Sequence, residues 1–165
     1  MRKFLLCLCI LALLSAAGCG AQPIEYDGPP VFFWPGPVPD FVPDEFVQEL
    51  RELAEEYART RELSGFQLHW TPHSFQVDER YGVVLLATNR LGRDIENVSF
   101  AFTMQAGDVY ILQDFPVNLA EVGIIPDNTI IPLLLALPRV SFEAVRALEE
   151  EAVMYVEDFT YERVD

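Results

Sequence analysis

Three rhythms of apolar and polar residues follow one another along this chain. From Phe4 to Leu14 every position is apolar, behind the basic head Met1-Arg2-Lys3. From Phe46 the apolar residues recur at helical spacing: Phe46, Leu50, Leu53 and Tyr57, widened by Val47 and Ala54. Glu49, Glu52, Glu55 and Glu56 fall on the other side, and Asp44 and Glu45 suit the positive end of a helix dipole. With Pro43 before it and Ser64-Gly65 as a stop, this predicts an amphipathic helix over residues 44–64, about five turns long. Its stripe is expected to pack on its own domain, with a partner protein as the alternative; the acidic face is unsuited to a membrane surface.

Beyond Gly65 the period becomes two. Phe66, Leu68 and Trp70 alternate with Gln67 and His69, and Phe75 and Val77 follow Thr71-Pro72. Tyr81 to Thr88 reads as a strand ending in the turn Asn89-Arg90-Leu91-Gly92. Val98, Phe100, Phe102 and Met104 alternate with smaller or polar residues, and Ala106-Gly107-Asp108 forms a hairpin turn into Val109–Gln113. Ile130–Leu137 is a further strand, with Pro132 confined to an edge or bulge, and Val153–Tyr161 is the last. Ser141–Glu151 is helix-like with a capping serine. Short strands divided by turns predict a mainly β domain over residues 65–165, an immunoglobulin-like antiparallel β-sandwich.

Between these parts, residues 22–43 carry prolines at 23, 29, 30, 35, 37, 39 and 43, which exclude a regular helix and favour extended chain. Residues 19–43 are therefore expected to form a semi-rigid tether, rising ~3.1 Å per residue where extended. Phe32, Phe33, Trp34 and Phe41 are unusual for a mere spacer. Docking on the domain, contact with a lipid leaflet and binding of a partner are the three uses open to them, and Phe32, Phe33 and Trp34 are the candidate partner contacts.

The apolar run of the N-terminus is too short to span a bilayer comfortably, and Ser15-Ala16-Ala17-Gly18 ends it with small residues. Residues 1–18 are thus read as a secretory signal. Cys19 directly after them resembles the acceptor of a bacterial lipobox, although Ala16 stands where such boxes more often carry leucine. The resemblance implies a diacylglyceryl group on the Cys19 thiol and a lipid anchor in the cell membrane, outside the cytoplasm. Cys7 and Cys9 would leave with the signal, so no disulfide, thiol nucleophile or thiolate metal site is expected in the mature chain. The chain carries a formal charge of −15, and Lys3 is its only lysine. So acidic a protein is repelled by nucleic acid and anionic lipid headgroups, and nucleic acid is excluded as a partner.

The search for chemistry returns little. There is no Gly-x-Ser-x-Gly elbow, phosphate-cradling loop or His-Glu-x-x-His helix. His69 and His73 are the only histidines; the Trp70-Thr71-Pro72 between them breaks any helix that would pair them. His69 is expected on the polar face of its strand and His73 in a solvated turn; a metal site would need a carboxylate beside both. Glu149-Glu150-Glu151 and Glu157-Asp158 read as a solvated acidic edge, with a weak calcium site as the alternative. Asn97-Val98-Ser99 matches a glycosylation sequon without particular meaning in a bacterial lipoprotein. No catalytic residue, cofactor or metal is assigned.

The stretch from Phe115 to Pro132 has the most pattern: Phe115, Leu119, Gly123, Ile125-Pro126, Asn128-Thr129 and Pro132. In these residues the chain resembles the SLAP domain, a surface module of Gram-positive lineages associated with accessory secretion and S-layer assembly. Leu133 stands where that family often has an aromatic residue. The resemblance spans residues 66–137 and implies a partner in surface-layer assembly or export. An unrelated immunoglobulin-like sandwich would need the same turn chemistry: Pro126 sets a turn in which Asn128 takes the left-handed conformation, letting a strand cross between sheets. The expectation is a lipid-anchored envelope protein whose β-sandwich binds another protein without catalysis. A structural spacer without a specific partner is the alternative, and a metal-dependent hydrolase built on His69 and His73 the remote one.

Overall fold

Residues 26–146 and 153–164 are described by the computed structural model of the chain. The signal, Cys19 and Glu149-Glu150-Glu151 therefore lie outside the described residues. Within them the molecule is mainly β, with seven strands in two sheets and two helices. In chain order these are β1 (Val31–Phe32), α1 (Asp44–Thr60), β2 (Gly65–Val77), β3 (Arg80–Arg90), β4 (Ile95–Ala106) and β5 (Val109–Asn118). A 3₁₀ turn at Ala120–Val122, β6 (Thr129–Leu137), α2 (Arg139–Arg146) and β7 (Val153–Arg163) complete them. One sheet has the order β1-β6-β3-β2 and the other β5-β4-β7.

β3 is the strand that organises the core. Every residue from Gly82 to Asn89 is buried, because both faces of its sheet are covered. Val83, Leu85 and Ala87 join Val98, Phe100, Phe102 and Met104 of β4 in one apolar cluster that draws on both sheets. On the opposite face Leu86 and Ile130 pack with Ala54 of α1 and with Leu63. The stripe expected of α1 thus lies on the sheet, with Leu50 and Ala54 fully buried.

The helix is shorter than its sequence signals suggest. Thr60 Oγ1 donates to Glu56 O at 2.7 Å, and Arg61 turns extended while its N–H caps Tyr57 O at 3.0 Å. The extended backbone of Arg61 (φ −123°, ψ 147°) ends the helix before Ser64, and Gly65 instead starts β2. α2 likewise begins at Arg139, with Phe142 N donating to Pro138 O at 3.0 Å; Ser141 lies inside the helix and is not its cap.

Pro126 and Asn128 carry the chain between sheets as their turn chemistry demands. The segment after β5 forms paired bonds between Ile95 and Ile125 (3.1 and 2.8 Å), then passes through Asn128 at φ 54° into β6. Pro132 is accommodated by direction. Ile130 O faces β1, so the nitrogen of Pro132, two residues on, points to that same side, where β1 has already ended. The pairing of β1 with β6 is parallel, whereas every other paired strand runs antiparallel.

Candidate functional site

The expected tether does not stay free of the domain. Val31 N donates to Asn128 O and Phe33 N to Ile130 O, each at 2.9 Å, which ties residues 31–33 to the edge of β6. Prolines favour extended chain, and extended chain with two free N–H groups is what an open sheet edge recruits. Upstream, the Tyr26 hydroxyl donates to Asp127 Oδ1 at 2.8 Å, and Gly92 N–H is shared between that oxygen and the tyrosine. Burial, then the bond to Asp127, raises the Tyr26 hydroxyl above its ordinary pKa, keeping it a donor. The Arg90 guanidinium lies 4.0 Å from the Tyr26 ring centre and donates to Gly28 O and Leu63 O. Sequence reading passed over these residues; it expected a turn at Asn89-Arg90-Leu91-Gly92, whereas Asn89 and Arg90 end β3, paired with Phe66 and Gly65, and the bend falls at residues 91–93.

Docking is thus the fate of the first two aromatics. Phe32 packs against the cluster beneath α1, with Arg51 5.4 Å from its ring centre, and Phe33 against the larger core. Trp34 and the prolines after it form a strap over a cleft of about 440 Å³. Leu85, Phe100, Val117 and Leu133 of the two sheets form its floor, and Asn118 and Glu121 supply polar groups. Val38 (38 % exposed) and Phe41 (53 %) remain open to solvent on the strap. The lining is apolar with few polar groups, the usual composition of a binding cleft.

The histidines line a second cleft, of about 750 Å³, with Tyr57, Arg61 and Trp70. His69 is not on a solvated face: α1 covers that side of β2, leaving the residue 6 % exposed. It shares a 2.9 Å hydrogen bond with Thr88 Oγ1 and stacks on Tyr57 at 5.2 Å. Burial, reinforced by Arg61, lowers its pKa to about 4, so the ring is neutral at neutral pH. His73 is half-buried against Phe46, not in an open turn, where β2 slips register between Trp70 and Ser74. Among the described residues no three of His, Cys, Asp and Glu converge as a metal site would require.

The remaining sequence candidates fall elsewhere. Asn97 takes a left-handed conformation (φ 50°) and donates to Glu162 at 2.8 Å. Glu157 and Asp158 are exposed on β7. Asn89, fully buried, was missed as a structural residue. Its Nδ2 donates to the carbonyls of Arg93, Ile125 and Pro126 at 3.0–3.1 Å, and its Oδ1 accepts from Leu91 N, pinning the crossover to β3. No helix among the described residues is long and apolar enough to cross a membrane. Comparison with protein-family models, curated proteins and solved structures finds no match to the chain.

Proposed function

We propose that this is a lipid-anchored bacterial envelope protein whose two-sheet domain binds another protein and performs no catalysis. Cys19 supplies the anchor, and the core common to both sheets supports reading the domain as a β-sandwich, immunoglobulin-like in its finer form. The observation that carries the binding reading is the proline–aromatic strap. It roofs an apolar cleft yet leaves Val38 and Phe41 exposed, apolar surface of the kind that marks interaction sites. The resemblance around Phe115–Pro132 makes surface-layer assembly or export the proposed setting.

The test is in-cell crosslinking of the intact protein, compared with Cys19→Ser and with Phe41→Ala. One envelope protein captured reproducibly, lost with Phe41→Ala, supports the reading. Cys19→Ser is expected to leave the membrane fraction or remain unprocessed; unchanged membrane attachment would overturn the anchor. Capture of nothing specific would favour a structural spacer.

A further inference from the structure

The charge of the strands is divided between the two sheets. β2 and β6 contain no Asp, Glu, Lys or Arg, and β3 has only Arg80 and Arg90. β4, β5 and β7 carry Glu96, Asp114, Glu157, Asp158 and Glu162 against the single Arg163. The inner residues of β4 are committed to the core, so the side that carries Ser99, Ala101, Thr103 and Gln105 faces outward.

On that outer side the register builds a site from neighbouring strands. Gln105 is opposite Tyr110 of β5 and Val153 of β7, and Thr103 is opposite Tyr155. Tyr110 is 55 % exposed and Tyr155 46 %, well above what a buried ring would show. Both line a shallow cleft of about 260 Å³ with Thr103, Gln105, Asp114 and Glu157. Asp114 is fixed there by a left-handed backbone (φ 49°) and by its N–H bond to Thr103 Oγ1 at 3.1 Å. The one ion pair among the described residues is Arg139–Glu143, so Asp114 and Glu157 face the cleft unneutralised.

Two exposed aromatic rings and two unneutralised carboxylates in one cleft are complementary to an organic cation. A ring face attracts a guanidinium or ammonium group, and carboxylates accept its hydrogen bonds. We propose that the outer face of the β5-β4-β7 sheet docks a basic segment of a partner protein, seating an arginine or lysine side chain in the cleft of Tyr110 and Tyr155. This deepens the protein-binding reading and rests on it, but places the contact on a different face from the strap.

The test uses the detergent-solubilised full chain and a fluorescent peptide of alternating arginine and serine, read by anisotropy. Binding is expected to weaken with salt, and Tyr110→Ser and Tyr155→Ser each to lower affinity about fivefold. Tyr155→Leu, which keeps apolar bulk without the ring, should lose as much. Glu52→Gln on α1 should change nothing. Tyrosine variants that bind as the native chain does would show mere attraction to net charge and overturn the proposal. Tighter binding of a neutral chitin oligosaccharide, lost on the same variants, would overturn it in favour of a glycan site. Because the probe is a peptide, failure here strikes this face alone and leaves the envelope-binding reading to the crosslinking experiment.

Discussion

His69 shows how a single polar residue changes meaning when its surroundings are known. Alternation along β2 placed it opposite Phe66, Leu68 and Trp70, which is correct. What alternation does not carry is that α1 covers the second face, so the side away from the larger core is also buried. The buried ring titrates at about 4, below the ordinary 6.5. Between those values the unfolded chain binds the proton more tightly than the folded one, so stability rises with pH through that window. It is full above about pH 6.5 and falls as the pH drops toward 4. Urea unfolding at about pH 7 and about pH 5 should show this loss in the native chain and a smaller one in His69→Gln. Equal losses would assign the effect to other groups. Asn89 illustrates the reverse: a turn-type residue by sequence, its value lies in joining a nearby carbonyl, Arg93, to two brought from elsewhere in the chain, Ile125 and Pro126.

The elements themselves were largely legible, because each has its own periodicity. The half-buried β4 and the amphipathic α1 appear as patterns within a dozen or so residues, and both lie where those patterns place them. Element ends were less legible: α1 stops where the Arg61 backbone turns extended, and α2 starts at Arg139 from a proline carbonyl. β1 escaped altogether, since two residues paired in parallel leave no periodic trace. The β2–β3 pair offers a test of close packing between elements. Phe75 is directly opposite Gly82, and a Cβ at Gly82 would collide with the Phe75 ring and the carbonyl oxygen of Leu135. Gly82→Ala is expected to destabilise the fold by about 1–3 kcal/mol, the usual cost of overpacking. A denaturation midpoint matching the native chain would mean that both the ring and the β6 backbone at Leu135 move aside freely.

At the scale of the whole molecule, the acidity read from composition is real but unevenly laid out. β2 and β6 hold no charge while β4, β5 and β7 hold five carboxylates, a division no total could reveal. A chain of net charge −15 repels itself when compact. Screening should relieve this, and the melting temperature is expected to rise by a few degrees between about 10 mM and 500 mM sodium chloride. A falling value would mean that attractive pairs dominate. The proposed docking site was the least legible part, since Tyr110 and Tyr155 come from strands joined only through β4. The docking of β1 also sets a length scale. A spacer running freely from Cys19 to Pro43 would hold the domain some 75 Å off the bilayer at ~3.1 Å per residue. With Tyr26 bonded to Asp127 and Val31 to Asn128, the anchor proposed at Cys19 would be seven residues from the first docked side chain, a contour of at most ~25 Å. On the lipid anchor proposed at Cys19, a domain held that close would patrol only the layer next to the lipid. A partner of the protein so anchored would have to come to the membrane to meet it, and a pull on the proposed anchor would be borne first by the tyrosine and the two-residue strand.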